Sequence, residues 1–550
     1  MIAKDDMPLR TPERTGFRYF VKKLQPLFQI PSESTLTRRL ENKYCELREQ
    51  FSCLLSQSPS ICLTADIWTH SSTMKSYLGV TAHFLVGMDM QSIDLCAKLI
   101  TDRKTIVNLR CIFKEICQEW KINYDKIVAV LTDGGANIAG AVQEEFGASK
   151  HISCLAHKIN NIGQACIDLH EKKLPSEETN YSEVPDNEED LDNEINDEQL
   201  ADLISKTSNN FIKQIILKVK RIVRFFKKSE IATSELEKLQ IESNVENKTT
   251  LKLIQEVKTR WNSCYDMLER FLLLSGFVTV VLMNLQRNRS SKSKPPIMLT
   301  AVELEIMQEV KDVLKPLWQV TLEMSSEKIV TLSKCIPLIN AMRCKINGIE
   351  TRTKDGFNFK KKLQSLVEAK FSNVEFVKPY SAATLLDPRF KKDVFTNIVA
   401  ASKAVTHIGS LVSECIGVDS RNLVQNSQKV SSSEDSLWFE FDQSVKDKVL
   451  NADQDVAGGI PVEMRQYLNR PIINRIENPN PLAAWAVLKG EYPHVYKVAL
   501  QFLPVLATSV PAERLFSHTG LIATKLRNRI SGKHLDQLVF MRSLDEKWFN

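Results

Sequence analysis

Two aspartates, Asp66 and Asp133, stand at the ends of strand-like runs, from which carboxylates on neighbouring strands can converge on a divalent cation. Mg²⁺ takes carboxylate oxygens and keeps several waters, and two such ions about 3.5–4 Å apart stabilise the attacking and leaving oxygens of a phosphodiester. A third carboxylate would complete such a site. Taken singly, an aspartate at a strand end is commonly a turn former or the cap of the next helix. Cys154 and His157 have a metal-like spacing, but zinc needs four ligands and no second pair lies nearby, so no zinc site is expected. The bland alternative for His157 is a helix-start residue bonded to backbone.

Basic and aromatic residues suggest a second kind of chemistry. Lys213, Lys220, Arg224 and Lys227 recur at helical spacing opposite Ile215, Ile216, Val219 and Val223, and such a stripe can neutralise phosphates or simply face water. Arg260 and Trp261 could stack on an unpaired base, although a tryptophan opening an amphipathic helix is by default a core residue. Lys525, Arg527 and Arg529 form a short cluster that could touch DNA or answer a helix dipole.

The elements that must position these residues follow from periodicity. Ile61, Leu63, Ala65 and Ile67 share one face of a strand expected to be half-buried, with Thr64, Asp66 and Trp68 on the other. Tyr77 to Leu85 and Ile93 to Ile100 supply further strands, Ile106 to Trp120 a helix, Lys126 to Asp133 a strand buried on both faces, and His151 to Ser153 a short strand. Strands first, then alternation, predicts an α/β fold with a mixed sheet. The first fifty residues read as a small helical unit. Long helical patterns run over Phe211 to Phe226, Leu251 to Asn284, Ala301 to Met324 and Phe357 to Phe371, and helical periodicity returns from Tyr496 to Leu544. Glu171 to Asp202 carries thirteen carboxylates against two lysines and is expected to be a disordered acidic loop, and Asp419 to Asp435 a flexible linker.

Composition sets the frame. The chain of 550 residues is 43% apolar and 25% charged, with net charge +6, which fits a multidomain globular protein and permits nucleic-acid binding without demanding it. No uninterrupted apolar run of membrane length and no apolar signal core occur, and the twelve cysteines are scattered. A cytosolic or nuclear protein is expected, with no membrane or small-molecule partner.

Blocks of the sequence resemble the hAT transposase superfamily. LTADIWTHSSTMKSYLGVTAHF around Asp66 and VLTDGGANIAGAV around Asp133 are similar to its two aspartate blocks. CLAHKINN, KTRWNSCYDMLER, LLDPRFKK and SVPAERLFSHTGLIATKLRNRISGKHLDQLVFM follow in the family's order. The resemblance implies an RNase H-like domain interrupted by a helical insertion, with Glu513 as the third acid and Mg²⁺ or Mn²⁺ as its cofactor. It also implies that His157 and Trp261 face DNA and that the terminal region dimerises. On this reading residues 1–55 are an N-terminal helical segment associated with DNA binding or dimerisation, 56–168 the first part of the RNase H-like domain, 169–205 the acidic loop, 206–495 the helical insertion with a linker near 415–440, and 496–550 the second part with the dimerisation region. Glu513 also follows Pro511 at a helix start, where any carboxylate is favoured.

The sequence departs from the family in places. The paired cysteines and histidines of a BED zinc finger are not found, Gly134 stands where Asn is common, His518 interrupts the usual FSTAG, and Ala484 precedes Trp485 where two tryptophans are usual. The expected function is therefore a nuclear, dimerising, DNA-binding protein of transposase descent, domesticated or truncated. The alternative is an active metal-dependent transposase that cleaves and joins transposon ends through Asp66, Asp133 and Glu513.

Overall fold

The computed structural model describes residues 2–70, 74–167, 211–243, 250–257, 261–287, 295–427, 459–522 and 532–549. Two helices open the chain, α1 (Thr15–Leu24) and α2 (Glu33–Gln57), the second capped by the Ser32 hydroxyl, which accepts the Thr35 amide at 3.2 Å. Then come β1 (Ile61–His70), β2 (Lys75–Val86), β3 (Asp89–Ile100), α3 (Ile106–Glu119), β4 (Ile127–Thr132), α4 (Ala136–Phe146), β5 (His151–Ser153) and α5 (Leu155–Ile167). The helical middle contains α6 (Phe211–Lys228), α7 (Glu230–Glu242), α8 (Trp261–Arg287), α9 (Ala301–Met324), α10 (Cys335–Gly348), α11 (Lys354–Phe371), α12 (Lys378–Leu385) and α13 (Ile398–Ser427). The last helices are α14 (Val462–Asn469), α15 (Pro481–Leu488), α16 (Pro493–Phe502), α17 (Val510–Ile522) and α18 (Gly532–Ser543).

The mixed α/β class is observed, with one five-stranded sheet ordered β3-β2-β1-β4-β5. The first three strands form an antiparallel meander, and β4 and β5 add parallel to the other side of β1. That order makes β1 the central strand and corrects the half-buried expectation. Ile61 to Ala65 are buried on both faces, and the alternating Thr64 is accommodated because its hydroxyl pairs with that of Thr81. Helix α18 lies along the outer strand β3 and caps its free edge: Ala97 N donates to the Asp536 carboxylate at 2.7 Å and Asp94 N to the Ser543 hydroxyl at 3.0 Å. An edge strand is thereby covered.

The chain divides into two compact units. The first comprises Met1–Ala156, Met324–Pro337 and Asn373–Asn550; the second, His157–Glu323 and Leu338–Ser372. Residues 373–495, grouped by sequence with the helical insertion, thus belong to the sheet-bearing unit. In the second unit Tyr265 stacks on Trp318 at 5.1 Å, and the Trp318 indole donates to Asp266 at 3.0 Å. Helix α8 holds the one described segment, Asn262–Arg287, long and apolar enough to cross a membrane, yet Tyr265, Leu268, Phe271 and Val278 are buried within this unit as in a core helix.

Three local expectations change. The pattern from Leu251 is not helical through Val257, where Gln240 bonds both the amide and the carbonyl of Leu251, and the described helix runs from Trp261. The linker expected from Asp419 is helical to Ser427, since a helix already nucleated upstream propagates cheaply through polar residues. Helix α1 forms with its apolar spacing but buries none of its residues. The acidic stretch 171–202 lies outside the described residues.

Candidate acidic site

Strand register brings the two aspartates level. Thr64 on β1 pairs with Leu131 on β4 in parallel, so two residues further along each strand are Asp66 and Asp133, at the same end and on the same face. Neighbouring strands lie about 4.7–4.9 Å apart. Each carboxylate is oriented by backbone: Asp66 Oδ1 accepts Ile67 N at 2.9 Å, and Asp133 Oδ1 accepts Gly135 N at 2.9 Å. Gly134 adopts φ +97°, a turn that a side chain would strain, and this lets the chain leave β4 for α4 directly behind Asp133.

Helix α17 covers the same face of the sheet. Asp66 lies opposite Gly79 on β2, and Trp68, two residues on from Asp66, stacks on Phe516 of α17 at 5.7 Å with planes 25° apart. Gly79 has no room for a side chain, since a Cβ there would fall 2.6 Å from Phe516 Cζ. Glu513 precedes Phe516 by one helical turn and so looks from the same side of α17 onto the face that bears Asp66. Gly79→Ala is expected to lift α17 and cost about 1–3 kcal/mol, the usual penalty of overpacking. Urea unfolding measures it, and unchanged stability would mean that the helix is not seated on the glycine.

The start of α17 is pinned from two distant parts of the first unit. Cys154 N donates to Thr132 O at 2.8 Å, while its buried sulfur accepts Ser509 N at 3.2 Å. Leu155 N donates to Ala507 O at 3.0 Å, Ala507 N to the Thr331 hydroxyl at 3.0 Å, and Arg514 forms an ion pair with Glu327 at 3.3 Å. Cys154 therefore ties the strand beside Asp133 to the helix that carries Glu513. Sequence reading missed Ser509, Ala507 and Thr331, whose partners lie hundreds of residues away.

The donor set suits a hard cation. Asp66 and Asp133 offer only carboxylate oxygens, and one or two carboxylates with waters are the usual protein share of a Mg²⁺ shell. Among the described residues no three His, Cys, Asp or Glu side chains gather into a metal-holding group, so Glu513 shares the face without closing on the pair.

The other expected site residues belong to other elements. Lys220 is committed to a largely buried ion pair with Glu256, which removes it from the phosphate-facing stripe. On the same helix Lys213 and Arg224 are half-buried and Lys227 is exposed, while Lys218 pairs with Glu303. His157 is half-buried on α5 and falls in the second unit. Arg260, Lys525, Arg527, Arg529 and the Trp261 side chain lie outside the described residues.

Two family models match the sequence. The hAT family C-terminal dimerisation region matches residues 463–544, and the ZBED1 RNase-like helical domain matches residues 152–313. The chain is similar to human zinc finger BED domain-containing protein 4, 22% identical over 98% of this chain and 42% of that protein. It is similar to the putative AC transposase of maize, 22% identical over 98% of this chain and 63% of that protein. It is also similar to the Hobo transposase of Drosophila melanogaster, 23% identical over 29% of this chain and 27% of that protein. The chain spans about half the length of the curated relatives it matches across nearly all of its own residues.

Proposed function

Starting from a chain that is a hAT-transposase-like protein with a dimerisation region, we propose that it works in the nucleus as a self-associating DNA-binding protein whose acidic face is a metal-dependent phosphodiester site. The observation that carries this reading is the level placement of Asp66 and Asp133 on adjacent parallel strands beneath the helix that bears Glu513. The strand order, a three-stranded meander with two parallel strands added beyond β1, supports an RNase H-like core.

In this reading Asp66 and Asp133 would hold the cation, with Glu513 of α17 as the third acid. Bound Mg²⁺ or Mn²⁺ supplies charge neutralisation of the phosphoryl oxygens and activation of water. The amides of Ile67 and Gly135 fix the orientation of the two carboxylates, and the Trp68–Phe516 stack walls the site on one side. Water adds to phosphorus, the P–O bond to the 3′ oxygen breaks, and the freed 3′-hydroxyl then attacks a second phosphodiester, with an alcohol leaving group departing. Lys213, Arg224 and Lys227 contribute phosphate contacts, with Arg260, Trp261, His157, Lys525, Arg527 and Arg529 as further DNA-facing candidates.

A host role without cleavage is the second reading, favoured by the relative named for a zinc finger rather than for transposition. One experiment separates them. On candidate transposon-end DNA with Mg²⁺ or Mn²⁺, wild type is expected to cut, and Asp66→Asn, Asp133→Asn and Glu513→Gln each to lose at least about 100-fold, since even outer-shell partners of a metal are worth 10–100-fold. Equal cutting by all three variants overturns the site. Salt-dependent DNA binding with no cutting by wild type leaves the host role.

A further inference from the structure

Strand β1 runs on past the acidic pair. Its described pairing with β4 stops at Thr64 against Leu131, whereas its pairing with β2 continues to His70 against Lys75. Beyond Asp66 the two strands therefore form a ribbon with no described strand on the β4 side. Its turn closes through Met74 N, which donates to His70 O at 2.8 Å, with Met74 in the left-handed region at φ +54°.

Parity decides what this ribbon presents. Trp68 and His70 share the face of Asp66, and across from them on β2 stand Tyr77 and Lys75. Along that face the row reads carboxylate, then an aromatic pair with ring centres 6.0 Å apart, then His70 against Lys75. The two aromatic rings are buried, and Lys75 is exposed. At about 3.3 Å per residue, four residues carry the row roughly 13 Å from Asp66.

Two more cations reach the same tip. Strand β3 ends at Ile100 opposite Ser76, so the chain that follows runs beside the turn. There Lys104 Nζ donates to the Thr69 hydroxyl at 3.0 Å, that hydroxyl bonds Ser76 Oγ at 2.9 Å, and the adjacent Arg103 is exposed. Asp102 is the one carboxylate between β3 and α3. Elsewhere on the sheet an outward lysine is answered: Lys98 pairs with Glu115 at 3.0 Å and Glu119 at 2.8 Å. Among the described residues Lys75, Arg103 and Lys104 form no ion pair. A lysine at a sheet edge can serve only to discourage strand addition. Three cations without carboxylate partners, one of them braced by the ribbon and another on the face of the acids, suit a polyanion.

We infer that the tip of the β1–β2 ribbon, through Lys75, Arg103 and Lys104, is a phosphate-holding site that grips a DNA strand beside the stretch the acids address. At 3.4 Å per nucleotide along the helix axis, 13 Å corresponds to about four nucleotides. The inference rests on the DNA binding contained in the proposed function and adds a contact on the sheet itself.

Fluorescence anisotropy of the full chain with candidate transposon-end duplex over a salt series tests it. Wild type is expected to bind, and Lys75→Ala/Arg103→Ala to bind about tenfold more weakly at low salt. The slope of log affinity against log salt should fall by about 2, since each phosphate contact contributes about 0.9. Both side chains are exposed, so the thermal midpoint stays unchanged. Lys403→Ala/Lys489→Ala, at exposed lysines of the same unit, is expected to keep wild-type affinity. A photo-crosslinking amino acid at position 75 should capture the DNA, and one at position 403 should not. Wild-type affinity and slope in the Lys75/Arg103 variant, an equal loss in the Lys403/Lys489 variant, or no crosslink from position 75 while wild type binds overturns the tip. A wild type without salt-dependent binding overturns the DNA-binding reading, and the tip with it.

Discussion

A chain ending at Val495 is expected to lose the tertiary structure of its sheet-bearing unit and not merely its self-association. The residues removed include α17 and α18, whose Leu515, Phe516, Leu535, Leu538, Val539, Phe540, Met541 and Leu544 are buried against the sheet and α2. At about 1.5–3 kcal/mol for each such side chain, their burial is worth on the order of 10–20 kcal/mol, as large as the net stability of a whole domain. Tyr44, Phe51 and Trp120, which pack edge-on to or tilted against Phe540, would be left in water. Near-UV circular dichroism should show the aromatic signal lost and a hydrophobic dye should bind. A shortened chain that keeps a native near-UV spectrum would refute the core role of this region. A fall in self-association on such a truncation therefore says nothing about the interface unless folding is measured with it.

Asp536→Asn is expected to stabilise the protein at pH 8 by on the order of 2–4 kcal/mol and to do nothing at pH 4. Desolvation beneath the edge of β3 raises the Asp536 carboxyl to about 7, against 3.8 for the ordinary group. The folded protein therefore holds a proton that the unfolded chain releases. The stabilising effect of that proton is fully present below pH 3.8 and is lost as pH rises through about 7. Asparagine keeps the oxygen that accepts Ala97 N and cannot ionise. His83 works in the other direction. Buried and bonded to the Thr81 hydroxyl at 2.9 Å, it is lowered to about 3 from 6.5, so its neutral form contributes stability above pH 6.5 that is lost as pH falls toward 3. The two slopes oppose one another over the same window, and Asp536→Asn should unmask the histidine's. Thermal unfolding from pH 4 to 8 reads this. A variant with the wild-type pH profile would show that the carboxyl is not desolvated.

What could be read from the sequence depended on how local the cause was. The strand at His151–Ser153 and the helix at Ala301–Met324 were legible to the residue, because periodicity and flanking turn residues act over a few positions. The face that Asp66 occupies was legible too, since parity along a strand is fixed. The burial of β1 on both sides was not, because it follows from β4 adding beyond it. Glu513 could be singled out only through resemblance: a carboxylate in a first helical turn has a sufficient local reason to be there. Gly79 against Phe516, and Cys154 against Ser509, left no trace, since neither residue looks unusual in its own neighbourhood. Helix α1 shows the opposite failure, an apolar period of which the described residues bury nothing.

The cap on β3 has a consequence for how the protein is made. The aspartate that accepts the Ala97 amide is synthesised 439 residues after it. During translation the outer strand must therefore wait, with its edge amides and apolar face uncovered, while the whole helical middle emerges from the ribosome. Contacts of such sequence separation form late and slowly. For that interval the nascent sheet is a template for any passing strand. Chaperone occupancy on ribosome-bound chains should accordingly persist until α18 has left the exit tunnel.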